Sequence, residues 1–126
     1  MIKSIDHIVL TTREVDKCIA FYTHALGMEL ENYGNGRIAL RFGEQKLNVH
    51  PQGFDASIKA QTPTPGSLDL CFLADCALEE VMERFRQHNI AIEAGPVVRT
   101  GARFPIRSVY VRDPDLNLIE ISELAG

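Results

Sequence analysis

An α+β fold is predicted by three features of this sequence. Several short runs are strand-like, two longer stretches carry apolar residues at helical spacing, and the order of the first half recurs in the second. Each half reads strand, helix, strand, strand, strand. The 126 residues are 45% hydrophobic, enough for one domain with a sizeable core. Module one is expected at about residues 1–51, a linker at 52–66 and module two at about 67–126.

Residues 5–12 form the first expected strand, with Ile5, His7, Val9 and Thr11 on one side. Asp16 is the expected cap of a helix reaching about residue 26, whose packing stripe is Val15, Cys18, Ile19, Tyr22 and Leu26. Gly27 suits the position just past its end. Strands follow at 28–32, 37–42 and 46–50, separated by Tyr33-Gly34-Asn35-Gly36 and Gly43-Glu44. The stretch 52–66 lacks periodicity and contains Pro63 and Pro65, so it reads as a connector.

The second pass begins with a strand at 68–73, placing Asp69, Cys71 and Leu73 on one face. Asp75 is expected to cap a helix over about 77–88, buried through Leu78, Val81, Met82 and Phe85 and ended by Asn89. A strand is expected at 91–93 or 96–99, then another at 107–112. Asp113-Pro114-Asp115 with Asn117 is turn chemistry. In the closing strand Ile119 and Ile121 share one face, and Leu118, Glu120 and Ser122 the other. A carboxylate within an apolar strand needs a solvated edge or a compensating partner.

Composition narrows the function. A net charge of −4 offers no basic stripe for tracking phosphates, which argues against nucleic acid and acidic membranes. No apolar run approaches a membrane span. Cys18, Cys71 and Cys76 have no metal-finger spacing, and Cys18 and Cys71 are expected to be buried free thiols in a reducing cytoplasm. The N-terminus enters a strand pattern directly, so no signal peptide is expected. His24 and His88, on the helices, read as structural.

Asp6-His7-Ile8-Val9-Leu10, the helix text from Ile19 to Gly27, and Asp113-Pro114-Asp115 with Asn117 to Glu120 together resemble the vicinal oxygen chelate superfamily. That group includes glyoxalases, extradiol dioxygenases and bleomycin-binding proteins. The resemblance implies two βαβββ modules curving into a mixed-sheet cup, helices outside, with a ligand site on the concave face and often a dimer. It also implies metal ligands on the first and last strand of each module. His7 and Glu120 match two of these positions, Asp69 stands at the third, and Asn48 occupies the fourth, where lactoylglutathione lyases carry a carboxylate. His50 shares the strand face of Asn48.

His7, Asp69 and Glu120 would make an N,O,O donor set for Ni²⁺, Zn²⁺, Mn²⁺, Fe²⁺ or Co²⁺, with positions left open for substrate. Asn48 and His50 are additional candidates, and Glu120 is the expected catalytic carboxylate. Arg99, Arg103 and Arg107 are candidates for a substrate carboxylate or phosphate. Three functions follow: a glyoxalase-type lyase or isomerase acting on a small molecule with neighbouring oxygens, an extradiol Fe²⁺ dioxygenase, or a non-catalytic binding protein. Asp69 weighs against the second, which usually needs two histidines. The scarcity of aromatic residues weighs against the third. A homodimer is expected, because a small cup leaves a sheet edge and an apolar seam.

Overall fold

β-branched and aromatic residues, cut at intervals by glycine turns, set out eight strands in the computed structural model, which describes residues 1–125. The chain divides into two units, the first spanning Met1–Ser67 and the second beginning at Leu68. Each is a four-stranded mixed sheet with one helix, giving the α+β, two-module fold class. Among the described residues no helix is long and apolar enough to cross a membrane.

Unit one contains β1 (His7–Thr12), α1 (Val15–Ala20), β2 (Glu29–Tyr33), β3 (Arg37–Phe42) and β4 (Gln45–Pro51). Its strand order is β1-β4-β3-β2, with β1 parallel to β4 and the other pairs antiparallel. A parallel pair needs a crossover, and the α1 segment supplies it. Leu10, Leu40, Leu47, Cys18 and Tyr22 are fully buried and form the core. The helix differs from its expected form at both ends. Glu14, not Asp16, is the N-cap, with no side-chain bond; Thr12 Oγ1 instead accepts the Glu14 amide at 3.2 Å. Beyond Ala20 the helix widens into a π-helical turn over Phe21–Ala25. Gly27 then takes φ 73°, open to glycine at little cost, and closes the segment as expected.

Unit two contains β5 (Asp69–Leu73), α2 (Leu78–Gln87), β6 (Ala94–Thr100), β7 (Pro105–Arg112) and β8 (Leu118–Leu124). Its order, β5-β8-β7-β6, repeats that of unit one, again with a parallel first pair. Leu78 and Phe85 of α2 are fully buried, as are Val109, Val111 and Ile119 on the strands. Ala77 is the N-cap, without a side-chain bond, so Asp75 does not fill the expected role. Of the two positions expected for the next strand, 96–99 falls within β6 and 91–93 lies outside any strand; β6 is irregular in register between Ala94 and Val97. Gly95 is required there: it has φ 96°, and a Cβ would collide with the Ser108 carbonyl.

The turn between β7 and β8 is built on one carboxylate. Asp113 Oδ1 accepts the amides of Asp115 and Asn117, both at 2.9 Å, and Oδ2 accepts Asn117 Nδ2 at 2.7 Å. Asn117 Oδ1 in turn accepts the Leu68 amide at 2.9 Å, just ahead of β5. The turn therefore fixes where β5 starts along β8, and so where Glu120 stands.

Candidate functional site

Period-two alternation gives each sheet a helix-covered apolar face and an opposite face, and the chemically active side chains lie on the second. In unit one the registers Val9↔Asn48↔Ala39 and Thr11↔His50 put Asn48 and His50 on the face that also carries His7. His7 is exposed, and its Nδ1 lies 2.8 Å from Asp6 Oδ1. Donation from Nδ1–H to that carboxylate leaves Nε2 with its lone pair, the form in which histidine ligates a metal. This hydrogen bond is the main cause that holds Asp6 below the ordinary aspartate range.

Asn48 is 9% exposed, and its Oδ1 is buried without a hydrogen-bond partner. It lies in a groove of about 560 Å³ together with Val9, Arg37, His50, Asp55 and Ile58. The His50 ring sits 4.4 Å from that of Phe54. Burial first, and the Arg37 guanidinium second, pull His50 below the ordinary histidine range.

In unit two the registers Cys71↔Glu120↔Tyr110 and Leu73↔Ser122↔Ser108 assemble a polar row on the corresponding face. Ser108 Oγ donates to Glu120 Oε2 at 2.7 Å. Ser122 Oγ lies 2.6 Å from Ser108 Oγ, and Cys71 Sγ 3.3 Å from Ser122 Oγ. Each hydroxyl has one proton, so with the carboxylate as final acceptor the protons run Cys71, Ser122, Ser108, Glu120. Burial pushes the Cys71 thiol up, and the nearby Glu120 and Asp69 carboxylates push it further. A thiol held protonated is a donor, not a nucleophile. Cys18 is buried as expected, but Cys71 is exposed, because it shares the strand face of Asp69 and not that of Leu70 and Phe72.

The arginines separate. Arg99 donates to the Tyr110 hydroxyl at 3.2 Å, next to Glu120 in register. Arg103 stacks over Phe104 in the β6–β7 loop. Arg107 lies on the helix-covered face, donating to Glu79 at 2.9 Å and Glu123 at 2.7 Å. Sequence reasoning missed Ser108 and Tyr110, whose signal was their alternation within residues 107–112 and whose partners lie on another strand.

A family model described as the Glyoxalase/Bleomycin resistance protein/Dioxygenase superfamily matches residues 4–121. The chain belongs to that superfamily. Within it, the glyoxalase domain-containing protein RDO1 of Mycosarcoma maydis is 49% identical over 96% of this chain and 68% of its own length. The virulence protein STM3117 of Salmonella typhimurium is 46% identical over 98% of this chain and 85% of its own. Its crystal structure superposes with a TM-score of 0.96, covering 99% of both chains. A lactoylglutathione lyase from Agrobacterium tumefaciens superposes at 0.75 with 25% identity, over 98% of this chain and 95% of the other.

Members of the superfamily generally use divalent metals. The donors available here fit such an ion in kind: an imidazole with its far nitrogen pinned by Asp6, a carboxylate with one oxygen pinned by Ser108, the Asp69 carboxylate, and the orphaned Asn48 oxygen. Among the described residues, however, no three His, Cys, Asp or Glu side chains gather as a metal-binding group.

Proposed function

We propose that this chain is a metal-dependent enzyme of glyoxalase type, a lyase or isomerase working in the cytoplasm. Its substrate would be a small molecule with neighbouring oxygens, such as a 2-oxoaldehyde adduct. The observation that carries the reading is the matched preparation of two distant side chains. His7 has one ring nitrogen engaged by Asp6, and Glu120 has one oxygen engaged by Ser108, so each retains one donor atom held in orientation. In support, the solved structure named as a lactoylglutathione lyase shares the fold at 25% identity.

In this reading His7, Asp69 and Glu120 are the residues that would hold a divalent ion. A bound divalent ion would supply Lewis-acid polarisation of substrate oxygen and so acidify an adjacent C–H. Glu120 would accept the proton at Oε1 only once that oxygen is free of the ion, and would return it to the neighbouring carbon, while Ser108 keeps Oε2 fixed. Arg99, held over the Tyr110 ring, and Arg103 are guanidinium groups on unit two that would attract an anionic substrate.

Purified protein should take up about one divalent ion per chain, and His7→Ala and Glu120→Ala should each abolish uptake. Metal analysis is the check: no stoichiometric binding of Ni²⁺, Zn²⁺, Mn²⁺, Fe²⁺ or Co²⁺ by the wild type removes the enzymatic reading. What would then stand is binding of a small molecule without catalysis, which the lack of a three-donor group among the described residues favours. We also propose a homodimer. Light scattering should return twice 14.1 kDa, and a clean monomer contradicts it.

A further inference from the structure

We infer that the groove of unit one is a recognition site for a small hydroxycarboxylate, whose hydroxyl donates to Asn48 Oδ1 and whose carboxylate sits on the Arg37 guanidinium. This rests on the reading of the chain as an enzyme of small oxygenated molecules, and it names the class.

Asn48 is where the inference starts. Its side chain lies between Val9 on β1 and Ala39 on β3, neither of which offers a polar side chain. Lys46, two residues back along β4, has its ammonium 4.1 Å over the Tyr33 ring. A buried oxygen without a donor costs stability, and groups of that kind are kept where something else supplies the proton. An amide oxygen can only accept, so what completes it must carry O–H or N–H; a carboxylate cannot do so.

The rest of the groove specifies the remainder of the ligand. Its volume of about 560 Å³ suits a small molecule. Arg37 is exposed on β3, with its guanidinium available for a forked pair with a carboxylate. Val9 and Ile58 supply apolar walls for a short carbon skeleton, and His50, braced by Phe54, closes one side. Asp55 also lines the groove. Its charge opposes a second anionic group, which favours a monocarboxylate over a phosphate ester or a dicarboxylate.

The test uses the full chain without added metal, titrated with lactate and, separately, with propionate, its analogue lacking the hydroxyl. The signals followed are the Asn48 side-chain amide and the Arg37 Nε–H, by ¹⁵N NMR. Lactate should move both signals saturably and bind at least about tenfold more tightly than propionate. Arg37→Gln should weaken both acids alike. Asn48→Leu should erase the preference for lactate, retain propionate binding, and melt no lower than the wild type. Equal binding of the two acids by wild type, or no saturable movement at Asn48 up to about 10 mM, overturns the assignment. So does an Asn48→Leu protein that loses metal uptake but still prefers lactate, since the amide oxygen then belongs to the ion. Because the titration needs no metal, a wild type that takes up no ion yet prefers lactate would sink the enzymatic reading and leave this site standing.

Discussion

The two units share one strand order, β1-β4-β3-β2 and β5-β8-β7-β6, yet treat the polar residues of their uncovered faces in opposite ways. Unit two satisfies its own: Cys71, Ser122, Ser108 and Glu120 form a single hydrogen-bonded row, with both serines fully buried. Unit one leaves Asn48 Oδ1 unsatisfied beside a groove and spends its charges on exposed pairs such as Glu31 with Arg41. Their hairpins differ too. β3 and β4 meet across Gly43-Glu44, whereas β7 and β8 are joined through a loop built on Asp113. A repeated topology thus fixes where side chains point without fixing what completes them. One face pairs its hydroxyls and thiol with a carboxylate, and the other leaves Asn48 Oδ1 unpaired.

The largest expected effect tests the loop. Asp113→Ala leaves two backbone amides and the Asn117 side chain without an acceptor in a buried setting, and should cost unit two about 3–5 kcal/mol in urea unfolding. An intact midpoint would mean that the loop does not set the register. Next comes the polar row. Ser108→Ala should cost about 1–3 kcal/mol, because Glu120 Oε2 and Ser122 Oγ both lose a buried partner, whereas Asn48→Leu in unit one should cost nothing. Similar losses from both would erase the contrast.

The smallest effects are slopes in pH, and they should fall on opposite sides of neutrality. The Cys71 thiol is raised, first by burial and then by Glu120 and Asp69, so the native state holds this proton more tightly than the unfolded chain. Its contribution is complete below the unfolded value of about 8.5 and is lost as pH rises above it. Burial lowers His50, so the unfolded chain binds that proton more readily and stability falls as pH drops below about 6.5. Cys71→Ser should flatten only the alkaline limb and His50→Gln only the acid limb of a melting-temperature profile.

Much of this was legible in the sequence, because alternation is a local property. The face shared by Leu118, Glu120 and Ser122, and that shared by Asp69 and Cys71, followed from period two alone. What failed depended on partners from other strands. Cys71 sits in an apolar run, but only one face of β5 is covered, and the run could not say which. Arg107 and Glu120 are both polar residues in apolar strands, and only the β7–β8 register puts them on opposite faces. Helix starts failed for another reason. Asp16 and Asp75 are good caps by type, but the strand-to-helix connections brought Glu14 and Ala77 to the cap positions.

The pairing of each unit's first strand with its last has a consequence for synthesis. Sheet one can close once β4 has emerged from the ribosome, since among the described residues β1 bonds to that strand alone. Sheet two repeats the problem later: among the described residues β5 bonds to β8 alone, so it must wait through a helix and two further strands with its backbone unpaired. At roughly 5–20 residues per second that wait lasts a few seconds, during which a nascent chain offers a bare strand edge to its neighbours.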